Sequence, residues 1–88
     1  MSLDAAARFG EVKVMLPANA NRMHAAPLIA AMRDAMSDFG PEDSLIAVGD
    51  PTLIAAATLI AARRTGGRVR LLKWDRMVKD YIPVEVHA

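Results

Sequence analysis

The fold is decided by residues 45–74, which read LIAVGDPTLIAAATLIAARRTGGRVRLLKW. The segment Leu45–Val48 is a continuous apolar run, too short for a helix and typical of a strand covered on both faces. Asp50-Pro51 combines a strong helix N-cap with a proline in the first helical position, which predicts a helix from there to Arg64. Residues 68–74 then predict another strand. Together these elements indicate two parallel strands joined by a right-handed crossover.

Two elements are predicted before this unit. Val12, Val14 and Leu16 alternate with polar or less apolar neighbours, which predicts a first strand over 12–16, and a helical turn is expected at Ala5–Phe9. Pro27–Phe39 places its apolar side chains on one stripe of a helix, ended by Gly40. The order is therefore strand, helix, strand, helix, strand.

A last strand, Ile82–Val86, follows a turn and forms an antiparallel hairpin with the strand before it. Pro83 lacks an N–H, so this strand is expected at a sheet edge. The sequence predicts one α/β domain over residues 1–88, a β-α-β-α-β-β sandwich with a four-stranded mixed sheet and two main helices. Both helices on one face, or one on each face, remain open.

Composition excludes several classes of protein. The chain has 88 residues, 53% of them hydrophobic and 24% charged, which is typical of neither a disordered segment nor a membrane protein. It has no cysteine, so disulfides and thiolate metal sites are excluded. No secretory signal is visible, and a cytoplasmic location without membrane contact is expected.

The second predicted helix is apolar on nearly every side. Two helices also barely cover a four-stranded sheet. Both features predict a homo-oligomer that buries this helix or a sheet face. The simpler interpretation is that the helix lies between the sheet and the first helix.

Two loops are expected at the carboxyl ends of the parallel strands, where open α/β sheets bind ligands. They suggest a nucleotide or phosphate site at a helix N-terminus. A capping aspartate repels phosphate, however, and no GxGxxG or GxxxxGKS/T pattern is present. A strand-to-helix turn with a good cap is the simpler interpretation. The candidate ligand residues are Asn19, Asn21, Arg22, His24, Asp50 and Thr52.

No motif indicates catalysis. His24 and His87 are the only histidines, no serine stands in a GxSxG elbow, and no cysteine is available as a nucleophile. One histidine near one carboxylate does not make a metal site. We therefore expect no catalytic residue, no metal and no cofactor.

The C-terminal end of the chain is basic. Residues 63–88 carry seven basic and three acidic side chains, whereas residues 1–62 carry four basic and seven acidic ones. Arginines that share one face of a strand with aromatic residues suit nucleic acid, and they equally suit an acidic protein. Alternatively, the cations protect a sheet edge from aggregation and the tryptophan is buried. The predicted partner-binding residues are Arg68, Arg70, Lys73, Trp74, Arg76 and Lys79.

The block PEDSLIAVGDPTLIAAATLIAARRTGG, with LLKWDR and YIPVEV after it, resembles short uncharacterised proteins encoded by tailed bacteriophages. The likeness covers about half of the chain and brings no activity or site residue with it. It implies a phage origin, a location in the host cytoplasm, and a role in binding host machinery or nucleic acid.

These observations predict a small non-enzymatic binding module that uses its basic hairpin to engage nucleic acid or an acidic host protein. Two alternatives stay open. One is a protein–protein inhibitor or scaffold acting through an apolar face. The other is a nucleotide or phosphate binder at the two loops.

Overall fold

A computed structural model of the protein describes residues 4–13 and 25–88. Its elements are a 3₁₀ helix (Asp4–Phe9), α1 (Ala25–Ala35), β1 (Ser44–Ile46), α2 (Pro51–Arg64), β2 (Arg68–Asp75) and β3 (Asp80–His87). The sheet order is β1-β2-β3, with β1 parallel and β3 antiparallel to β2. The α/β class, the parallel crossover and the C-terminal hairpin are confirmed.

The predicted count of four strands is wrong for the part of the chain described, which contains a three-stranded sheet. Residues 11–13 are not in a strand, and residues 14–16 of the predicted first strand lie outside the described range. Val12 packs against a cluster of Ala6, Leu72 and Tyr81. At residues 12–13 the segment is irregular and Val12 is partly buried, so the alternation did not produce a strand there.

The helix α2 has the predicted bounds because its ends are encoded locally. Asp50 Oδ1 accepts a hydrogen bond from the Thr52 N–H at 2.7 Å, and Pro51 stands in the first turn. At the other end the Gly67 N–H donates to the Ala62 carbonyl at 2.8 Å. Gly66 has a φ of 70°, a conformation that glycine adopts without a side-chain clash.

The helix α1 is displaced relative to the predicted Pro27–Phe39. It ends at Ala35, and the chain continues as a tight turn in which the Phe39 N–H donates to the Met36 carbonyl at 3.0 Å. The predicted apolar stripe is present, since Leu28, Met32 and Met36 are buried. The turn keeps Met36 and Phe39 against the core, so the apolar spacing continues beyond the last residue of the helix.

Both α-helices lie on the same face of the sheet. Met32 of α1, Met36 of the turn after it, and Ala57, Ile60 and Ala61 of α2 form one cluster with Leu45 and Val69 of the sheet. Because α2 contacts both α1 and β2, its apolar surface is largely accounted for within one copy of the chain. Full burial of an aliphatic side chain such as Leu45 contributes roughly 1.5–3 kcal/mol.

The 3₁₀ helix covers part of the opposite face. Its Ala6 is buried together with Leu72 and Tyr81, and Phe9 and Trp74 pack against these three residues. The sheet is therefore covered in part on both faces. We call Ala6, Leu72 and Tyr81, with Phe9 and Trp74 packed against them, the second cluster, and it holds the hairpin against the 3₁₀ helix.

Candidate functional site

The hairpin projects beyond the first strand. β1 pairs only with residues 70–72 of β2, whereas β2 and β3 pair from Arg68–His87 to Asp75–Asp80. Residues 73–75 and 80–82 therefore form a two-stranded extension, closed by the four-residue turn Arg76–Lys79. We call residues 73–82 the hairpin end.

The turn at the hairpin end is fixed from inside. Asp75 Oδ1 accepts hydrogen bonds from the Met77 N–H at 2.8 Å and the Val78 N–H at 3.3 Å. Lys79 has a φ of 52°, in the left-handed region. Because the aspartate holds the backbone, all four side chains of the turn point into solvent. Met77 is 91% exposed and Val78 is 62% exposed, and Arg76 and Lys79 beside them are exposed as well.

Arg8 joins the hairpin end to the 3₁₀ helix. Its Nη2 donates to Asp80 Oδ2 at 2.8 Å and to the Tyr81 carbonyl at 3.2 Å, while its guanidinium lies 4.1 Å from the centre of the Phe9 ring. The Asp80 carboxylate is therefore bound to a cation of the same chain. This contact anchors one strand of the extension.

The predicted aromatic contribution to the surface is buried in part. Trp74 is half-buried and meets Tyr81 edge to face, with ring centres 5.1 Å apart and an angle of 72° between the planes. The two residues face each other across β2 and β3. The indole therefore contributes to the second cluster, as the alternative interpretation of the sequence had it, and has only part of its surface in solvent.

The predicted cations fall into separate groups. Arg68 and Arg70 lie at the far end of β2, where Arg68 Nε is 3.5 Å from Glu85 Oε1. Lys73 lies on the opposite face of the strand, and Arg76 and Lys79 lie in the turn. At about 3.3 Å per residue, Arg68 is roughly 26 Å from Arg76. The six predicted residues do not form one continuous surface, and three of their cations belong to the hairpin end.

Sequence reasoning gave no role to Met77 and Val78. The signal was present, because turns favour glycine, proline, asparagine, aspartate and serine, whereas these apolar residues stand between two cations in a predicted turn. Their exposure, which the sequence does not specify, is a feature of the folded hairpin.

The candidate ligand loops received little support. Asn19, Asn21, Arg22 and His24 lie outside the described residues. Asp50 caps α2 through the Thr52 N–H, which is the simpler interpretation of that turn. A cleft of about 590 Å³ adjoins it, lined by apolar residues, by acidic ones and by Lys13, which pairs with Asp38. The acidic residues are Glu11, Asp38, Glu42, Asp43 and Asp50. Their charge opposes phosphate binding at this end of α2.

An apolar surface remains on β3. Ile82, Val84 and Val86 lie on the helix side of the sheet, opposite Lys73, Leu71 and Val69. They are 40%, 39% and 41% exposed, respectively. This exposure arises because α2 packs on β2 rather than on β3. We call these three side chains the β3 face.

The outer edge of β3 is protected from strand addition in its first half. The Ala88 N–H donates to the Gly67 carbonyl at 2.7 Å, so alternation along the ladder places Pro83 in a non-hydrogen-bonded pair with its nitrogen towards the edge. Tyr81 faces the same way, but its N–H donates to Asp80 Oδ1 at 2.8 Å and its carbonyl accepts from Arg8. Further β-strands are therefore blocked there.

The described residues hold neither a metal-binding cluster nor a membrane-spanning helix. Among them, no three His, Cys, Asp or Glu side chains converge as a metal site would need. None of the helices in this range has the length and apolar character needed to cross a bilayer.

Comparison with known proteins identifies the family. The family model described as "Phage Pam3 gp32-like protein" matches residues 1–88. The chain belongs to this family, which confirms the resemblance to phage proteins. No curated protein and no solved structure matches the chain.

Proposed function

We propose that this member of a phage protein family is a small non-enzymatic nucleic-acid-binding module that acts in the host cytoplasm and binds through its hairpin end. The observation that carries the proposal is the turn Arg76–Lys79, which presents two exposed cations around two exposed apolar side chains on a fixed backbone.

Local charge supports this assignment. Lys73, Arg76 and Lys79 are exposed at the hairpin end. The two carboxylates nearby are occupied within the chain, since Asp75 accepts N–H groups of the turn and Asp80 accepts from Arg8. By contrast, Arg68 at the far end is beside Glu85. A polyanion therefore meets a net positive surface at the hairpin end.

The expected binding is electrostatic and largely independent of sequence. Lysine and arginine that neutralise phosphates release counterions, so affinity falls as salt rises. Three phosphate contacts by Lys73, Arg76 and Lys79 predict a slope of about −2 to −3 for log K against log[salt]. Neither helix offers the exposed basic and amide side chains that read base edges in a groove.

The test is binding of the whole chain to a labelled 20-base-pair duplex, followed by fluorescence anisotropy between 25 and 200 mM salt. We expect Arg76→Glu/Lys79→Glu to lower the affinity at least tenfold. The matched control is Arg33→Glu/Arg63→Glu, which makes the same change in net charge at two exposed helix positions. We expect the control to stay within about threefold of the parent.

Equal losses in both variants would reduce the effect to net charge, and an undetectable parent complex would reject the proposal. An acidic host protein is the other partner that the cations suit. Capture from host lysate that survives nuclease treatment and is lost in Arg76→Glu/Lys79→Glu identifies that partner instead.

A second candidate function is a protein contact through the β3 face. Ile82, Val84 and Val86 are three aliphatic side chains in a row on one exposed surface, and Pro83 blocks edge pairing beside the first half of β3. An apolar face of this kind pairs with its own copy about a two-fold axis without requiring complementary charges.

A further inference from the structure

We propose that Met77 and Val78 insert between stacked bases of the bound nucleic acid, while Arg76 and Lys79 contact the phosphates on either side. This inference rests on the proposed function and adds a mode of binding to it. It assigns a role to the two side chains that the charge argument leaves unused.

The first argument is exposure. Met77 is 91% and Val78 is 62% exposed, in a turn where polar residues and glycine are favoured. Their apolar surface stays in water in the free protein, and burial in a partner is favourable. Proteins that kink nucleic acid insert apolar wedges, methionine among them, between base steps.

The second argument is rigidity. A wedge that separates bases must be held by its scaffold, because unstacking opposes its entry. Asp75 fixes the backbone of Met77 and Val78 with two hydrogen bonds, and Arg8 anchors the neighbouring strand through Asp80. The hairpin end therefore offers a preformed apolar tip rather than a flexible loop.

The third argument separates nucleic acid from a lipid surface. An apolar tip flanked by cations also suits anionic lipid, but a myristoyl chain alone gives only marginal membrane binding. Two short side chains bury less apolar surface than that chain does. A gap between bases, by contrast, holds one or two side chains and lies beside phosphates.

The choice of duplex step follows from DNA mechanics. Pyrimidine–purine steps such as TA unstack easily, whereas A-tracts are stiff. We expect the protein to bind a duplex with a central TA step at least threefold more tightly than an A-tract of equal length.

The experiment uses the whole chain and a 20-base-pair duplex with 2-aminopurine in place of the adenine of a central TA step. Unstacking raises the fluorescence of this base, and we expect the parent protein to raise it at least twofold. Met77→Ser/Val78→Ser retains Arg76 and Lys79. It should bind about tenfold more weakly, with an unchanged salt slope and without the fluorescence rise. Met77→Leu, which keeps an apolar wedge, should retain the rise.

Three results overturn the inference. If the parent binds with the expected salt slope but without a fluorescence rise, insertion is rejected and the proposed function stands. If the parent does not bind, the proposed function fails and insertion fails with it. If the serine variant loses affinity only for phosphatidylserine-containing vesicles, the tip is assigned to a lipid surface. A midpoint of thermal unfolding equal to that of the parent shows that the serine variant is folded.

Discussion

Tyr81 is the most instructive single residue of the second cluster. It is 1% exposed, its ring meets Trp74 edge to face, and its hydroxyl has no hydrogen-bond partner among the described residues. A buried hydroxyl without a partner opposes folding, whereas the ring supports it. Tyr81→Phe removes only the unfavourable group, and we expect it to raise the free energy of unfolding by about 1 kcal/mol.

Urea unfolding of the whole chain measures this effect. The control is Tyr81→Leu, which also removes the aromatic pair and should lower the free energy of unfolding by about 2 kcal/mol or more. A Tyr81→Phe protein that is less stable than the parent would contradict the prediction and show that the hydroxyl is satisfied.

Lys13 and Asp38 form an exposed ion pair in which each group shifts the pKa of the other. Lys13 Nζ donates to Asp38 Oδ2 at 3.1 Å. This hydrogen bond lowers the pKa of the Asp38 carboxyl and raises the pKa of the Lys13 ammonium. Stabilisation by Asp38 is present above its unfolded pKa and is lost as pH falls through its folded pKa. Stabilisation by Lys13 is present below its unfolded pKa and is lost as pH rises through its folded pKa.

We therefore expect Lys13→Met to raise the pKa of Asp38 towards its ordinary value. Carbon-detected NMR titration of the Asp38 carboxyl in the parent and in the variant measures it. An unchanged Asp38 titration in Lys13→Met would show that the pair does not form in solution. The effect on stability should be small, because both groups are exposed and salt screens them.

At the scale of elements, α2 tests whether Asp50 serves the fold or a ligand. Its carboxylate accepts the Thr52 N–H at 2.7 Å and so satisfies the start of the helix. We expect Asp50→Ala to lower the free energy of unfolding by about 1 kcal/mol, and Asp50→Asn to lower it less, because asparagine also caps. Thermal or urea unfolding measures both.

Nucleic-acid affinity supplies the second measurement for these variants. Asp50 lies at the acidic cleft and not at the hairpin end, so both variants should bind a duplex as the parent does. A gain of tenfold or more in Asp50→Ala would instead place a phosphate at the N-terminus of α2.

The elements differ in how far their sequence determined them. The bounds of α2 were predicted closely, with its end at about Arg64, because Asp50-Pro51 and the two glycines encode its ends locally. The end of α1 was placed too late, since Met36 and Phe39 keep the apolar spacing through a turn. For the first strand, three alternating residues were the whole signal; residues 12–13 are not in a strand, and residues 14–16 lie outside the described range. Sheet order and the face taken by each helix depend on contacts between distant segments, which periodicity does not contain.

The candidate site was predictable in its chemistry and not in its shape. Residues 63–88 were basic by count, and the hairpin was foreseen. The alternation of side chains along a strand placed Arg68, Arg70 and Trp74 on one face of β2. However, Trp74 is half-buried beneath the 3₁₀ helix, and Arg68 is beside Glu85. The apolar tip required coordinates, because an apolar residue in a turn is buried in some proteins and exposed in others.

At the scale of the whole molecule, the uneven charge of the chain becomes a separation in space. Five carboxylates and one cation, Lys13, line the cleft beside α1, β1 and the start of α2, so its net charge is negative, and the cations Lys73, Arg76 and Lys79 lie at the hairpin end. Nucleic acid is repelled by the first region and attracted by the second. A basic hairpin end and an acidic cleft therefore give a small domain one preferred orientation on a polyanion.

The β3 face raises the question of self-association. The sequence predicted a homo-oligomer from the apolar surface of α2, but α1 and β2 cover much of that helix. The exposed apolar side chains available for self-association are instead Ile82, Val84 and Val86 of the β3 face. Three half-exposed aliphatic side chains make a small interface, so we expect a two-fold dimer with a Kd of roughly micromolar or weaker.

Val84→Lys tests this dimer, because Val84 lies in the middle of the β3 face and a lysine there faces its own copy across the axis. Sedimentation of the parent at 10–300 μM should give a mass that rises with concentration, and Val84→Lys should sediment as a monomer throughout. The matched control is Leu59→Lys, since Leu59 is an equally apolar residue of α2 that is 70% exposed away from the core. It should dimerise like the parent.

A parent that stays monomeric at 300 μM, or a Leu59→Lys variant that dissociates as Val84→Lys does, would show that the β3 face is not a dimer interface. Since the hairpin turn contributes nothing to this face, Val84→Lys should still bind a duplex at low protein concentration with the affinity of the parent.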